Sequence, residues 1–117
     1  MSAEFYIVFD DPVWYEQNQP IVRKLIESLG TFTKNIGDEE YWLRGSEEGG
    51  DWAFGARIFM RQRDMLLEIS SRPPSIVADI KKLSGLIAAH AKSHVVDDDG
   101  ERMDCYSHSD NGHCHLE

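Results

Sequence analysis

Apolar positions recur with two different periods along the chain, and the switches between them mark the elements. Glu4-Phe5-Tyr6-Ile7-Val8-Phe9 is aromatic and β-branched on both faces, which predicts a strand covered on both sides. Asp10-Asp11-Pro12 stops it, and Trp14 and Tyr15 fall in a connecting loop. From Pro20, suited to a first helical position, Ile21, Val22, Leu25, Ile26 and Leu29 repeat at helical spacing up to Gly30, expected as a left-handed C-terminal residue. Thr31 to Ile36 and Tyr41 to Arg44 are strand candidates around the polar turn Gly37-Asp38-Glu39-Glu40, and Gly45 to Asp51 is a loop. The clearest alternation places Trp52, Phe54, Ala56, Ile58 and Met60 on one face, with Arg57, Phe59 and Arg61 on the other. Gln62-Arg63-Asp64 then turns the chain into a return strand, Met65 to Ser70. Ser71-Arg72-Pro73-Pro74 opens a second helix with Ile76, Ile80, Leu83 and Ile87 as its inward stripe. Asp79 falls near its positive end and Lys92 near its negative end. His94-Val95-Val96 reads as a short last strand.

The order β-α-β-β-β-β-α-β predicts a single α+β domain over residues 1–101, a mostly antiparallel sheet with two helices packed on it. Residues 102–117 lack apolar periodicity and read as a mobile Cys/His-rich tail, whose final Leu116-Glu117 looks like a cloning remnant. A chain of 117 residues that is 41% hydrophobic and 10% aromatic is too apolar for a disordered acidic segment. Its 21 Asp and Glu against 12 Lys and Arg leave a charge of −9, which repels nucleic-acid phosphates and anionic membranes and favours a neutral or basic partner. No apolar run approaches the ~20 residues of a membrane helix, and no secretory signal pattern is present. Cys105 and Cys114 both fall in the last thirteen residues rather than being spread through the domain as staples, so a cytoplasmic location is expected.

Chemical motifs are sparse. Cys105, His108, His113, Cys114 and His115 include a chelating Cys-x-x-His spacing, but no second cluster exists to complete a structural zinc site. In Asp97-Asp98-Asp99-Gly100-Glu101, aligning Gly100 with the calcium-loop glycine puts Val95 where the first carboxylate ligand belongs, so a solvated acidic turn is expected instead. Glu68-Ile69-Ser70 lacks the lysine of an acid-x-lysine nuclease element. His90 and His94 lie one helical turn apart without the glutamate of a metalloprotease helix, and are expected to be helix-end residues. The expectation is a non-enzyme with no metal and no cofactor.

Surface chemistry is more telling. Trp14 and Tyr15 adjoin Asp10, Asp11 and Glu16; Tyr41 and Trp42 follow Asp38, Glu39 and Glu40; Trp52 follows Glu47, Glu48 and Asp51. Trp42 and Trp52 are expected in the core as large aromatics at strand positions. Aromatic anchors carry much of the energy of protein interfaces, and a surrounding charge patch steers the encounter. The candidate binding residues are therefore Asp38, Glu39, Glu40, Glu47, Glu48 and Asp51, with Trp14 and Tyr41 as anchors.

The strings Ala56-Arg57-Ile58-Phe59-Met60, Leu66-Leu67-Glu68-Ile69-Ser70, Arg72-Pro73-Pro74-Ser75-Ile76 and Val95-Val96-Asp97-Asp98-Asp99-Gly100-Glu101 give the chain a further character. With the order of elements, they make it resemble the small α+β immunity proteins of bacterial polymorphic-toxin systems, in particular a family found beside toxins with a restriction-endonuclease-like nuclease domain. The resemblance implies a non-enzymatic inhibitor that binds a cognate, basic toxin and occludes its active site or substrate-binding surface. It transfers no catalytic residue. The competing expectation is a small-ligand or metal-binding accessory domain using the tail or a pocket beneath the second helix, with an enzyme as the third.

Overall fold

The computed structural model describes residues 3–45, 54–70 and 73–102. Its elements are β1 (Ala3–Phe9), α1 (Pro12–Gln17), α2 (Gln19–Glu27), β2 (Phe32–Ile36), β3 (Glu40–Leu43), β4 (Ala56–Met60), β5 (Asp64–Ile69), α3 (Pro74–Ala88) and β6 (Ser93–Asp97). The strands form one sheet in the order β2-β3-β4-β5-β1-β6, antiparallel at every pairing. The fold is the expected α+β domain with one element more. Trp14 and Tyr15 lie in the short helix α1 rather than a loop. The Asp11 carboxylate accepts the Val13 N–H at 3.1 Å and Pro12 supplies the first helical position, two local devices that six residues of apolar periodicity could not reveal.

Helix α2 ends earlier than its apolar repeat. The Ser28 amide closes onto the Lys24 and Leu25 carbonyls, and its hydroxyl donates to the Leu25 carbonyl at 2.6 Å. Gly30 is consequently not the left-handed residue; among the described glycines only Gly37 and Gly100 have positive φ. Asp79 does not serve the α3 dipole either. Its Oδ2 accepts both the Thr31 N–H at 2.8 Å and the Thr31 hydroxyl at 2.6 Å, which pins α3 to the α2–β2 connection. Lys92 lies past the last turn of α3 and offers its carbonyl to the Asp10 N–H at 3.0 Å.

All three helices contribute to one core. Tyr15 of α1, Val22 and Ile26 of α2, and Ile76, Ile80, Leu83 and Ile87 of α3 pack with Phe5, Ile7, Tyr41, Leu43, Ile58, Met65 and Leu67 from the sheet. Because side chains alternate across a strand, Tyr6, Val8, Trp42, Arg57, Phe59, Leu66 and Glu68 face the other way and stay half-buried. The expectation that β1 is covered on both sides is thus met on one side only. Phe54 also leaves the inner face, since the chain bends at Gly55 and the Phe54 ring lies 4.9 Å from that of Trp42.

Candidate protein interface

Among the described residues, the β2–β3 turn is the best-built acidic segment. Gly37 and Asp38 both take positive φ, 64° and 63°, the backbone of a primed turn that matches the twist of a hairpin. Glycine adopts it freely, and aspartate is among the few other residues that tolerate it. Three contacts hold the turn still, two of them from distant elements. The Asp38 carbonyl accepts from Arg23 Nε of α2 and from the Tyr41 hydroxyl, each at 3.2 Å, and the Glu39 carbonyl accepts the Met60 N–H at 2.7 Å. Arg23 is itself steadied by Gln19, whose Oε1 accepts from its guanidinium at 3.3 Å. The carboxylates of Asp38 and Glu39 are exposed on this frame. Beside them opens a polar cleft of about 410 Å³ lined by Gln19, Arg23, Glu39, Met60, Arg61 and Gln62.

The structure divides the other expected binding residues. Tyr41 is fully buried, so it cannot be a surface anchor. Alternation explains this, because residues 41 and 43 point under the helices while 40 and 42 point away. Its role is to prop the turn from below, and burial pushes its phenol above the usual tyrosine range. Glu40 belongs to the open sheet face rather than the turn: its Oε2 accepts from Trp42 Nε1 at 2.6 Å and lies 3.6 Å from Arg57 Nη1. Trp42 is therefore on the open face as well, not in the core, with Lys34 Nζ 5.2 Å from its ring centroid. Trp14 is half-buried, packed 6.1 Å from Phe9 and 6.2 Å from His90 between ring centroids, which uses most of its ring for the fold. Glu47, Glu48, Asp51 and Trp52 lie outside the described residues, as do Cys105, His108, His113, Cys114 and His115.

Residues that the alternation of β4 placed on its outer side, but that were not among the expected binding residues, occupy the centre of the open face. Arg57 donates to Glu68 from two of its guanidinium nitrogens, the Nε contact being 2.8 Å, and its Cζ lies 4.6 Å from the Phe54 ring and 5.3 Å from that of Phe59. Arg61 pairs with Asp64 at 2.9 Å and sits 5.5 Å from the Tyr6 ring. A visible signal for this face was the two-sided apolar pattern of β1.

The remaining candidates are structural. In the acidic turn after β6, Asp97 Oδ1 accepts the Asp99 and Glu101 N–H groups, each at 2.9 Å, and Gly100 has φ 86°. The carboxylates of Asp97, Asp98 and Asp99 approach within 4.8 Å of one another, a consequence of that turn. The cavity at the start of α3, about 390 Å³ beside Gly30, Thr31, Ser75 and Asp79, has its carboxylate already committed to Thr31. No helix among the described residues is long and apolar enough to cross a membrane. Comparison with protein-family models, curated proteins and solved structures finds no match in any of the three.

Proposed function

We infer that this chain is a non-enzymatic immunity protein that binds a basic toxin, a nuclease domain, and blocks its active site or substrate-binding surface. The observation that carries the reading is the pre-organised turn, in which Asp38 and Glu39 are held out by Arg23, Tyr41 and Met60. A turn backbone fixed in advance loses little conformational freedom on binding, and the carboxylates it presents would stand in for the phosphates that a basic nuclease cleft attracts. The overall charge of −9 adds long-range steering toward such a partner. The resemblance of the β4 to β6 region to immunity proteins points the same way.

The test pairs the chain with the product of the adjacent gene, which this reading expects to carry a basic nuclease toxin domain. Asp38→Asn with Glu39→Gln removes both charges while keeping the turn, since asparagine accepts the same left-handed backbone. Binding should weaken by about tenfold per charge, mostly through slower association at low salt, and protection of toxin-expressing cells should fall. Undiminished protection by this double variant would sink the reading.

A further inference from the structure

We propose that the polar cleft beside the Asp38–Glu39 turn takes a carboxylate side chain of the toxin, met there by Arg23, a step that rests on the immunity reading. Arg23 is held in place by neutral partners alone: its Nε donates to the Asp38 carbonyl and its Nη2 to Gln19 Oε1. The nearby arginines of β4 and its turn are neutralised, Arg57 by Glu68 and Glu40, and Arg61 by Asp64. No carboxylate among the described residues comes within ion-pair distance of Arg23. A chain with 21 acidic residues thus keeps a half-buried, positioned guanidinium without a counter-charge. A guanidinium is a rigid fork of donors that matches a carboxylate, and holding it in place before binding lowers the entropy that the contact costs.

The rest of the cleft sets the class of ligand. Gln19 and Gln62 offer side-chain amides, and Glu39 places an exposed carboxylate on the same wall as the turn. A phosphate, with close to two negative charges, would be repelled by Glu39 and the neighbouring Asp38. A lone cation would be repelled by Arg23. A singly charged carboxylate with a cation beside it satisfies both sides, the carboxylate on Arg23 and the cation on Glu39. A nuclease that works through a bound metal presents that pattern where it cuts, with acidic metal ligands set inside a groove that attracts phosphates. The cleft therefore suits the active site of such a partner better than an outlying part of its substrate surface. It also lies clear of the strand ends that lead into undescribed residues. Those ends, Leu43, Ala56 and Ile69, are paired at one end of the sheet, whereas Glu39, Met60, Arg61 and Gln62 lie at the other, beyond the pairs Glu40–Phe59 and Met60–Met65.

Titration calorimetry of the full chain with the product of the adjacent gene supplies the test. Gln62→Glu is the discriminating variant, because Gln62 is exposed and its side chain makes no hydrogen bond among the described residues, so the fold and the turn do not depend on it. A negative charge added elsewhere on this chain would speed association with a basic partner; in this cleft it opposes the incoming carboxylate. Gln62→Glu should therefore weaken binding by roughly tenfold, and Arg23→Gln by at least as much. When the acidic residues of the nuclease site are changed to amides one at a time, one of those changes should erase the Gln62→Glu penalty. The sign at Gln62 carries the test even if Arg23→Gln loosens the turn. Equal or tighter binding by Gln62→Glu overturns the inference and leaves the immunity reading standing, as does a penalty that persists against every variant of the nuclease site. A native chain that does not bind at all removes both.

Discussion

Leu66 and Leu67 are adjacent in one strand and lead different lives. Leu67 is fully enclosed under the helices, in contact with the same core as Ile58 and Ile80, while Leu66 lies half-buried between Phe59 and Tyr6 on the open face. The inner face is apolar throughout and closed by helices from both halves of the chain. The outer face mixes aromatic rings with ion pairs and has a composition between core and surface. The difference shows that burial here follows from what the helices cover, not from the hydrophobicity of the strand.

The sharpest way to break that comparison is a pair of truncations. Leu67→Ala should cost about 2–5 kcal/mol in urea unfolding, because it leaves a cavity among packed neighbours. Leu66→Ala should cost under about 1 kcal/mol in dilute solution, where its neighbours can relax toward solvent. Equal losses would mean that the outer face is covered in the monomer. Next in size is Asp79→Ala, which strands the Thr31 amide and hydroxyl and should cost about 1–3 kcal/mol; Thr31→Val should recover little of it, since the amide stays unpaired.

The smallest effect is a pH dependence belonging to the inner side. Tyr15 and Tyr41 are buried, and desolvation raises both phenols above their usual 10.0, with the Asp64 charge adding to the rise at Tyr15. The folded state therefore holds these protons more tightly than the unfolded state. Their contribution is intact below pH 10 and is lost as pH rises toward the folded values, with a slope that cannot exceed about 1.4 kcal/mol per pH unit for one proton. Tyr41→Phe should make the alkaline limb of a denaturation series less steep. An unaltered slope would show that this ring does not stay buried.

Strand positions were legible wherever alternation was strict: Arg57, Phe59 and Arg61 opposite Ala56, Ile58 and Met60 matches the observed faces of β4 and its turn. Both long helices followed from their apolar stripes. Helix α1 did not, because it rests on a cap and a proline rather than a repeat. The site was harder. Asp38 and Glu39 were visible as charges in a turn, but the grip on them comes from Arg23, fifteen residues away on another element. Tyr41 and Trp42 were readable as neighbours of acid, yet a phase shift of one residue decides which of them faces solvent, and only the pairing of β3 with β4 sets that phase.

The position of β1 inside the sheet governs the order in which the chain can assemble. Strands β2 to β5 follow one another as a meander, so each finds its partner within a short stretch of chain. The first strand has no such neighbour: Phe5 pairs with Leu67 on one side and Asp97 on the other. It must wait until residues 64–69 and 93–97 have been made, and closing those long loops is the slow step. Until then its two-sided apolar edge stands open to other chains, a hazard that ends when β6 arrives and seals it.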